Sequence, residues 1–349
     1  MATLTRAHQQ LFARDEDQRF ASLGALSAYC RRQHEESREV WLPPQEILAR
    51  SVDAGRLLLA SRDNQAYQMN DWSFSQLCRL AGVGKETVNQ LSADTAARVF
   101  AETLPRGNKP LQLYAQGSDG ADELGRLRSI HAASYTRLAN VELLDVIDEF
   151  SSDFQPPPPG VNGGTGLYAG EQDCFLFLID PAGWVEIEGE SFAPGFFAWN
   201  SEVGRRSVGI QTFWYQRICA NHLVWDARDV VELARKHTSG VRDALPEIRA
   251  AIEALIRRRD ERRDGFAGAI RAAMSTKIAD KEDEVIGELA KQGFSRALVR
   301  EAMELVPPFS GFTVFAMVDA LTRVTGRIPN AGERTEADQK VAQLLALAA

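Results

Sequence analysis

The 349-residue sequence lacks the features that mark several large classes of protein. Its four cysteines, Cys30, Cys78, Cys174 and Cys219, are far apart and form no CxxC pair, which argues against a zinc ribbon or a disulfide framework. No apolar run approaches the roughly 20 residues needed to cross a bilayer. Residues 1–20 contain no apolar signal-peptide core. We therefore expect a soluble, cytoplasmic protein without a membrane partner.

The chain also lacks an excess of basic residues and a recognisable catalytic constellation. Its net charge of -8 argues against a protein that coats duplex DNA, although a local basic patch is compatible with that total. Cys219 and His222 are three residues apart, but no second pair is spaced to complete a zinc site. Ser201 is not in a G-x-S-x-G sequence. The glycines of residues 160–166 lack the lysine and hydroxyl residue of a phosphate-binding loop. We predict no catalytic residues, cofactor or metal.

Hydrophobic periodicity predicts an α+β fold, in which a mixed or antiparallel β-sheet core has flanking helices and a helical C-terminal region. Residues 174–179 are a continuous apolar run, which is typical of a strand buried on both faces. Other strands are predicted at residues 56–60, 66–69, 111–114, 184–188, 196–199 and 208–215. Helices are predicted at residues 18–33, 72–104, 230–237, 245–264 and 266–281, and from residue 140.

Composition divides the chain into three regions. Residues 1–40 are predicted to form an N-terminal helical arm, residues 41–228 an α+β core, and residues 229–349 a helical C-terminal region packed on that core. Residues 155–166 are rich in proline and glycine, which indicates either a linker or a long loop. We favour a loop within the core, because the strands on either side are too few to close a sheet separately.

Residues 77–91 have the pattern of a helix-turn-helix. A first helix is followed by a turn that contains Gly82 and Gly84, and a second, polar-faced helix begins near Lys85. The alternative is two short core helices joined by a glycine turn. The second helix is poor in arginine and ends at Ser92, which weakens the DNA-reading interpretation.

Residues 195–226 carry the densest mixture of basic and aromatic side chains. Three arginines flank three aromatic residues there: Arg205, Arg206 and Arg217 beside Phe213, Trp214 and Tyr215. Proteins that bind single strands use such a combination, because cations follow the phosphates and exposed rings stack on bases. Side chains alternate along a strand, so Trp214 lies on the opposite face from its two aromatic neighbours. We predict that Trp214 is exposed and stacks on a base.

A second basic run lies in the predicted C-terminal helices, where Asp260 and Glu261 are interspersed. The mixed signs favour a solvated helix face, and a phosphate-contacting stripe is the alternative. With this alternative included, the predicted nucleic-acid contacts are Arg205, Arg206, Trp214, Arg217, Arg257, Arg258, Arg259, Arg262 and Arg263.

Several blocks of the sequence, spread over roughly residues 45–345, resemble one family. The blocks are residues 74–83 with 91–97, residues 127–140, residues 194–221 and residues 312–322. In this order they resemble the phage/plasmid-like protein family, domain of unknown function 932. The most specific elements are NSEVG at residues 200–204, whose composition also predicts a turn, and the C-x-N of Cys219 and Asn221. Where family members often have C-x-N-G, this chain has His222.

The resemblance implies a protein of bacteriophages, plasmids or integrated elements, and it supplies no catalytic residues. By analogy of fold and gene setting, it points to single-strand annealing recombinases, which act as oligomers without a cofactor. The leading hypothesis is a homo-oligomeric nucleic-acid-binding protein that anneals or protects single-stranded DNA. The alternatives are a duplex-DNA regulator using residues 78–91 and a protein-binding module for host takeover.

Overall fold

The computed structural model describes residues 11–348 except 53–54, 62–64, 106, 108, 118–123, 159–165, 218–221, 226–231 and 309, and only the backbone of 222–225. Two β-sheets, helices packed against them and further C-terminal helices confirm the α+β class.

The described strands in chain order are β1 (Gln18–Arg19), β2 (Ser37–Leu42), β3 (Ile47–Val52), β4 (Arg56–Ser61), β5 (Ala66–Met69), β6 (Leu111–Gln116), β7 (Gly125–Ala132), β8 (Leu167–Ala169), β9 (Cys174–Ile179), β10 (Val185–Ile187), β11 (Glu190–Asn200), β12 (Val208–Gln216), β13 (His222–Trp225) and β14 (Glu232–Arg235). The described α-helices are α1 (Leu23–Glu35), α2 (Asp71–Ala81), α3 (Lys85–Asn89), α4 (Ala93–Thr103), α5 (Asn140–Asp148), α6 (Ala244–Arg257), α7 (Arg259–Ser275), α8 (Glu282–Lys291), α9 (Arg296–Met303), α10 (Val314–Thr325) and α11 (Ala331–Ala342).

The six-stranded sheet has the order β2-β6-β7-β5-β4-β3. It is mixed, because β5 and β7 run parallel while the other neighbours are antiparallel. One face packs against α2 and α4, where Phe74 and Phe100 meet in an edge-to-face contact with ring centroids 6.2 Å apart. Asn70 caps α2, and Gly82 ends it in a left-handed conformation that glycine adopts without a Cβ clash.

The eight-stranded sheet has the order β1-β8-β9-β11-β12-β13, with β10 beside β11 and β14 beside β12. All its strand pairs are antiparallel. Along β9, Leu176 and Leu178 belong to a core with α1, α5 and α6, while Phe175 and Phe177 belong to the core on the other face. Every residue of β9 is buried, so the prediction of a strand covered on both faces is confirmed.

Two helix predictions need correction. Residues 232–235, within the helix predicted at 230–237, form β14, because their backbone pairs with residues 208–211 of β12. Their side chains alternate between exposed and half-buried, which is the period of an edge strand. At the N-terminus, Gln18–Arg19 pairs with β8 and the helix begins at Leu23. Leu26 and Cys30 of α1 are buried in the core of the eight-stranded sheet.

The proline- and glycine-rich segment starts and ends on the same strand. Gln155 exchanges two backbone hydrogen bonds with Ile179, and the carbonyl of Gly166 accepts a hydrogen bond from Phe177 N at 2.7 Å. Residues 159–165 lie outside the described residues. The two described ends of the segment therefore contact the same strand, β9.

Candidate nucleic-acid interface and the polar cluster behind it

The NSEVG sequence forms the turn between β11 and β12, and its glutamate is buried. Gly204 N donates to Ser201 O at 2.9 Å, which closes the turn. The Glu202 carboxylate accepts hydrogen bonds from Arg128 Nη1 at 2.9 Å and from the backbone nitrogen of Asn140 at 2.6 Å. The side chains of Glu202 and Arg128 are only 2% and 5% exposed. This ion pair therefore joins the two sheets in surroundings largely free of water.

A β-bulge directs Arg128 toward Glu202. Leu127 and Ser129 of β7 pair with consecutive residues of β6, so Arg128 is an extra residue without a partner in the ladder. Such an extra residue bends the strand and changes the direction of its side chain. Burial opposes the charge of Arg128, but the neighbouring Glu202 carboxylate raises the pKa of Arg128 above its ordinary value. The Arg128 guanidinium therefore keeps its charge despite its burial.

Three stacked rings lie beside this ion pair. The rings of His131 and Tyr135 are stacked with centroids 3.7 Å apart, and Tyr135 is stacked on His237 at 5.4 Å. The Tyr135 hydroxyl donates to the backbone carbonyl of Glu202 at 2.9 Å. Burial and the positive charge of Arg137 lower the pKa of His131 to about 3. The imidazole is therefore neutral at neutral pH. We call Glu202, Arg128, Arg137, His131 and Tyr135 the Glu202 cluster.

Two exposed arginines lie over one tryptophan at the edge of this cluster. The buried Trp72 donates from Nε1 to the carbonyl of Val203 at 2.7 Å. The guanidinium carbons of Arg79 and Arg205 lie 5.9 Å and 5.8 Å from the Trp72 ring centre, within cation–π range. Among the described residues, neither arginine has a carboxylate within ion-pairing distance. We call Trp72, Arg79 and Arg205 the Trp72 patch.

The other arginines predicted from the sequence are placed differently. Arg206 forms ion pairs with Asp173 at 3.3 Å and with Glu336. Arg262 is buried at 7% exposure. The remaining arginines of residues 257–263 each lie beside a carboxylate: Arg257 with Glu253 at 3.5 Å, Arg258 with Glu261 at 2.8 Å, Arg263 with Asp260 at 3.0 Å, and Arg259 with Asp180. These carboxylates offset the positive charge that the sequence pattern suggested.

Trp214 is not exposed, contrary to the prediction. Its exposure is 0%, and its ring stacks on Phe266 of α7 with centroids 4.1 Å apart and planes 6° from parallel. The C-terminal helices cover this face of β12, while Phe213 and Tyr215 are buried in the core on the other face. Arg217 is exposed, with its guanidinium carbon 5.5 Å from the ring centre of Trp184.

The proposed helix-turn-helix contains a short second helix. Lys85–Asn89 forms α3, of only five residues, after the turn at residues 82–84. Lys85 Nζ lies 2.6 Å from Asp71 Oδ1, and the buried Asn89 binds the backbone of Leu11 and Phe12. This helix is therefore bound within the fold. Cys219 lies outside the described residues, as does the side chain of His222.

A polar groove lies at the N-terminal end of α2. Two adjoining cavities share Asp15, Asn70, Arg126 and Glu171 in their linings. We call these four residues the Asn70 groove. Burial raises the pKa of Glu171 to about 7, with a hydrogen bond from Gln172 opposing it; the charges of Asp71 and Asp15 raise it further and Arg126 lowers it.

The raised pKa of Glu171 predicts a pH-dependent stability. The folded protein holds a proton on Glu171 that the unfolded chain releases, so this contribution is complete below about pH 4.5 and is lost as the pH rises through about 7. We expect the melting temperature of the wild type to fall, relative to that of Glu171→Gln, from about pH 5 to about pH 8. Calorimetry across this range measures the difference. Glu102→Gln, at an exposed position of α4, controls for loss of one carboxyl group; an equal slope in both variants contradicts the assignment.

Sequence reasoning missed the residues that the fold brings together here. Trp72 was predicted only as part of a helix, and Arg79 as part of that helix, of the helix-turn-helix and of a block of family resemblance. Arg128 was predicted as part of a strand or a turn of helix and of a block of family resemblance, and Arg137 only as part of that block. The prediction of a turn at NSEVG is confirmed. Nothing in the local sequence pattern indicated that this turn buries Glu202. A charged residue between the apolar Leu127 and Ile130, as at Arg128, is a local sign of a buried partner.

Comparisons with known proteins add no relative. No protein-family model, curated protein or solved structure matches the chain. Within the part of the chain that the structure describes, no three His, Cys, Asp or Glu side chains are grouped to hold a metal ion. None of the described helices combines the length and apolar character needed to traverse a bilayer.

Proposed function

We propose that the protein binds the phosphate backbone of nucleic acid, with single-stranded DNA as the preferred form, through the Trp72 patch. The observation that carries this proposal is the pair of exposed guanidiniums of Arg79 and Arg205 over one indole, without carboxylate partners among the described residues. The buried indole fixes the two cations on one side of the molecule. A phosphate chain presents anions at short, regular spacing that such a pair can contact.

The proposal assigns stacking no role at Trp72 or Trp214. Both rings are buried, at 9% and 0% exposure, so neither is a platform for a base. Affinity then comes from phosphate contacts, which carry no sequence information. Arg217 is a second contact by the same reasoning, since it is exposed beside Trp184. The family resemblance stays a proposal, and with it the preference for single strands and an annealing or protecting role on a mobile element.

Binding should weaken with salt and depend on the Trp72 patch. We expect Arg79→Gln with Arg205→Gln to weaken binding to a labelled single-stranded oligonucleotide for all sequences alike. We expect the slope of log affinity against log salt to shrink by about 0.7 for each arginine–phosphate interaction that the substitutions remove. Fluorescence anisotropy across a salt series measures both quantities, and a duplex of the same sequence tests the preference for single strands.

A matched control removes two arginines that already have carboxylate partners. Arg257→Gln with Arg258→Gln makes the same change in charge on the exposed face of α6 and α7. Affinity and salt slope should stay at their wild-type values in this control. Salt-independent binding, or an unchanged slope in the Trp72-patch variant, contradicts the proposal. Light scattering on the same samples tests whether the chain is a homo-oligomer.

A further inference from the structure

The Asn70 groove is a second polar site, separate from the Trp72 patch. Its larger cavity has a volume of about 320 Å³, and the smaller one about 80 Å³. Ligand pockets begin at roughly 300 Å³, so the larger cavity has room for a small molecule. Leu11, Phe12 and Met69 also line this cavity, which adds an apolar part to its wall.

The side-chain oxygen of Asn70 accepts hydrogen bonds, whereas its side-chain nitrogen has no acceptor among the described residues. Its Oδ1 accepts hydrogen bonds from Ser73 N at 2.8 Å and from Ser73 Oγ at 2.9 Å, which caps α2 and fixes the orientation of the amide. Its Nδ2 is buried and has no acceptor among the described residues. Asn70 is 6% exposed and lines both cavities. An oxygen of a ligand in the groove would satisfy this donor.

The groove carries charges of both signs. Arg126 is exposed at its edge and has no carboxylate within ion-pairing distance among the described residues. Asp15 and Glu171 line the same two cavities. Asp15 would repel a simple anion, as would Glu171 once it is ionised above about pH 7. A simple cation would leave Arg126 and Asn70 Nδ2 without an acceptor. A ligand that has an anionic and a cationic group can pair its anion with Arg126 and Asn70 Nδ2 and its cation with the carboxyl groups of Asp15 and Glu171.

We propose that the Asn70 groove binds a zwitterion of the α-amino acid class. The ligand's carboxylate accepts hydrogen bonds from Asn70 Nδ2 and the Arg126 guanidinium. Its ammonium group lies against Glu171 and Asp15. Its side chain packs on the apolar wall of the larger cavity. Arg–carboxylate and ammonium–carboxylate hydrogen bonds are the strong, charge-assisted kind, so recognition depends on both ends of the ligand.

Calorimetric titration of the full chain with the common L-amino acids at about pH 8, where Glu171 is mostly ionised, tests this site. At least one amino acid should bind and should raise the melting temperature of the protein. Its methyl ester lacks the anionic group and its N-acetyl derivative lacks the cationic group. Each derivative should bind at least about tenfold more weakly, because it loses a charge-assisted hydrogen bond.

Two variants locate the site. Asn70→Asp keeps an oxygen to cap α2 while replacing the unsatisfied donor by an anion, and Arg126→Gln removes the cation. Each should weaken binding by at least about tenfold. Arg98→Gln, at an exposed position of α4 outside the groove, makes the same charge change as Arg126→Gln and should bind as the wild type does.

Three outcomes overturn the proposal: no amino acid binds, the ester and N-acetyl derivatives bind as well as the parent, or both groove variants bind normally while their melting temperatures show that they are folded. DNA binding is measured separately on the same variants. Because the groove proposal does not rest on nucleic-acid binding, either activity can fail without the other.

Discussion

Replacing Glu202 by glutamine is expected to lower the free energy of unfolding by about 3–5 kcal/mol. Arg128 is buried at the bulge in β7 and has the Glu202 carboxylate as its ion-pair partner at 2.9 Å. The Glu202 main-chain carbonyl also accepts from the buried Arg137. The neutral amide would leave a buried cation without its compensating charge. It would also turn an N–H toward one of the two donors, Arg128 Nη1 or the backbone nitrogen of Asn140. Both effects act where little water can enter.

Chemical denaturation of the wild type and Glu202→Gln measures this loss. Glu288→Gln is the matched control, because it removes a glutamate whose partner Lys291 lies at 2.6 Å on the exposed surface of α8. An exposed pair of this kind contributes only about 0–1 kcal/mol. A loss of under about 1 kcal/mol at Glu202 would falsify the view that this ion pair holds the two sheets together.

Replacing Gly204 by alanine is expected to cost about 2–4 kcal/mol, from backbone strain and overpacking together. Gly204 has φ +72°, a left-handed conformation that residues with a Cβ rarely adopt. A Cβ at this position would lie 2.6 Å from His131 Cε1 and 2.8 Å from Tyr135 Cε2. These rings are stacked on each other, so neither can move without disturbing the Glu202 cluster.

A second glycine with a positive φ serves as a control that separates backbone strain from overpacking. Gly189 has φ +84°, but a Cβ there would meet nothing within 4 Å. Gly189→Ala should therefore show only the backbone strain, of about 1–2 kcal/mol. The excess destabilisation of Gly204→Ala over Gly189→Ala in denaturation reports the clash with the stacked rings. Equal destabilisation in the two variants would show that the rings yield to a methyl group at no cost.

The turn that contains Glu202 and Gly204 also connects the Glu202 cluster with the Trp72 patch. Trp72 Nε1 donates to the carbonyl of Val203, next to Glu202 and Gly204 in the same turn. Arg205 follows that turn directly, and its backbone N donates to Ser201 Oγ at 2.9 Å. The turn thus sets the position of one arginine of the Trp72 patch. A variant that disturbs the turn should weaken nucleic-acid binding as well as stability.

Local patterns in the sequence predicted the strands with the clearest periods. The apolar run of β9 and the β12 segment were correctly identified, because burial on both faces leaves few polar positions. Residues 232–235 were mistaken for part of a helix. Their four positions carry little periodicity, and pairing with β12 decides their conformation. The burial of Trp214 could not be predicted locally, because it depends on Phe266 of α7, which packs over the ring.

The candidate sites depended still more on long-range packing. Trp72 and Val203 are 131 residues apart in the chain, and Arg128 and Glu202 are 74 apart. Side-chain alternation and turn chemistry are local properties, so residue order alone specifies an α+β chain, its buried strands and the NSEVG turn. Which arginines are neutralised and which tryptophans are covered depend on how the sheets and helices meet. For that reason only the folded molecule removed Trp214 from the proposed contacts and brought Arg79 beside the predicted Arg205 over Trp72.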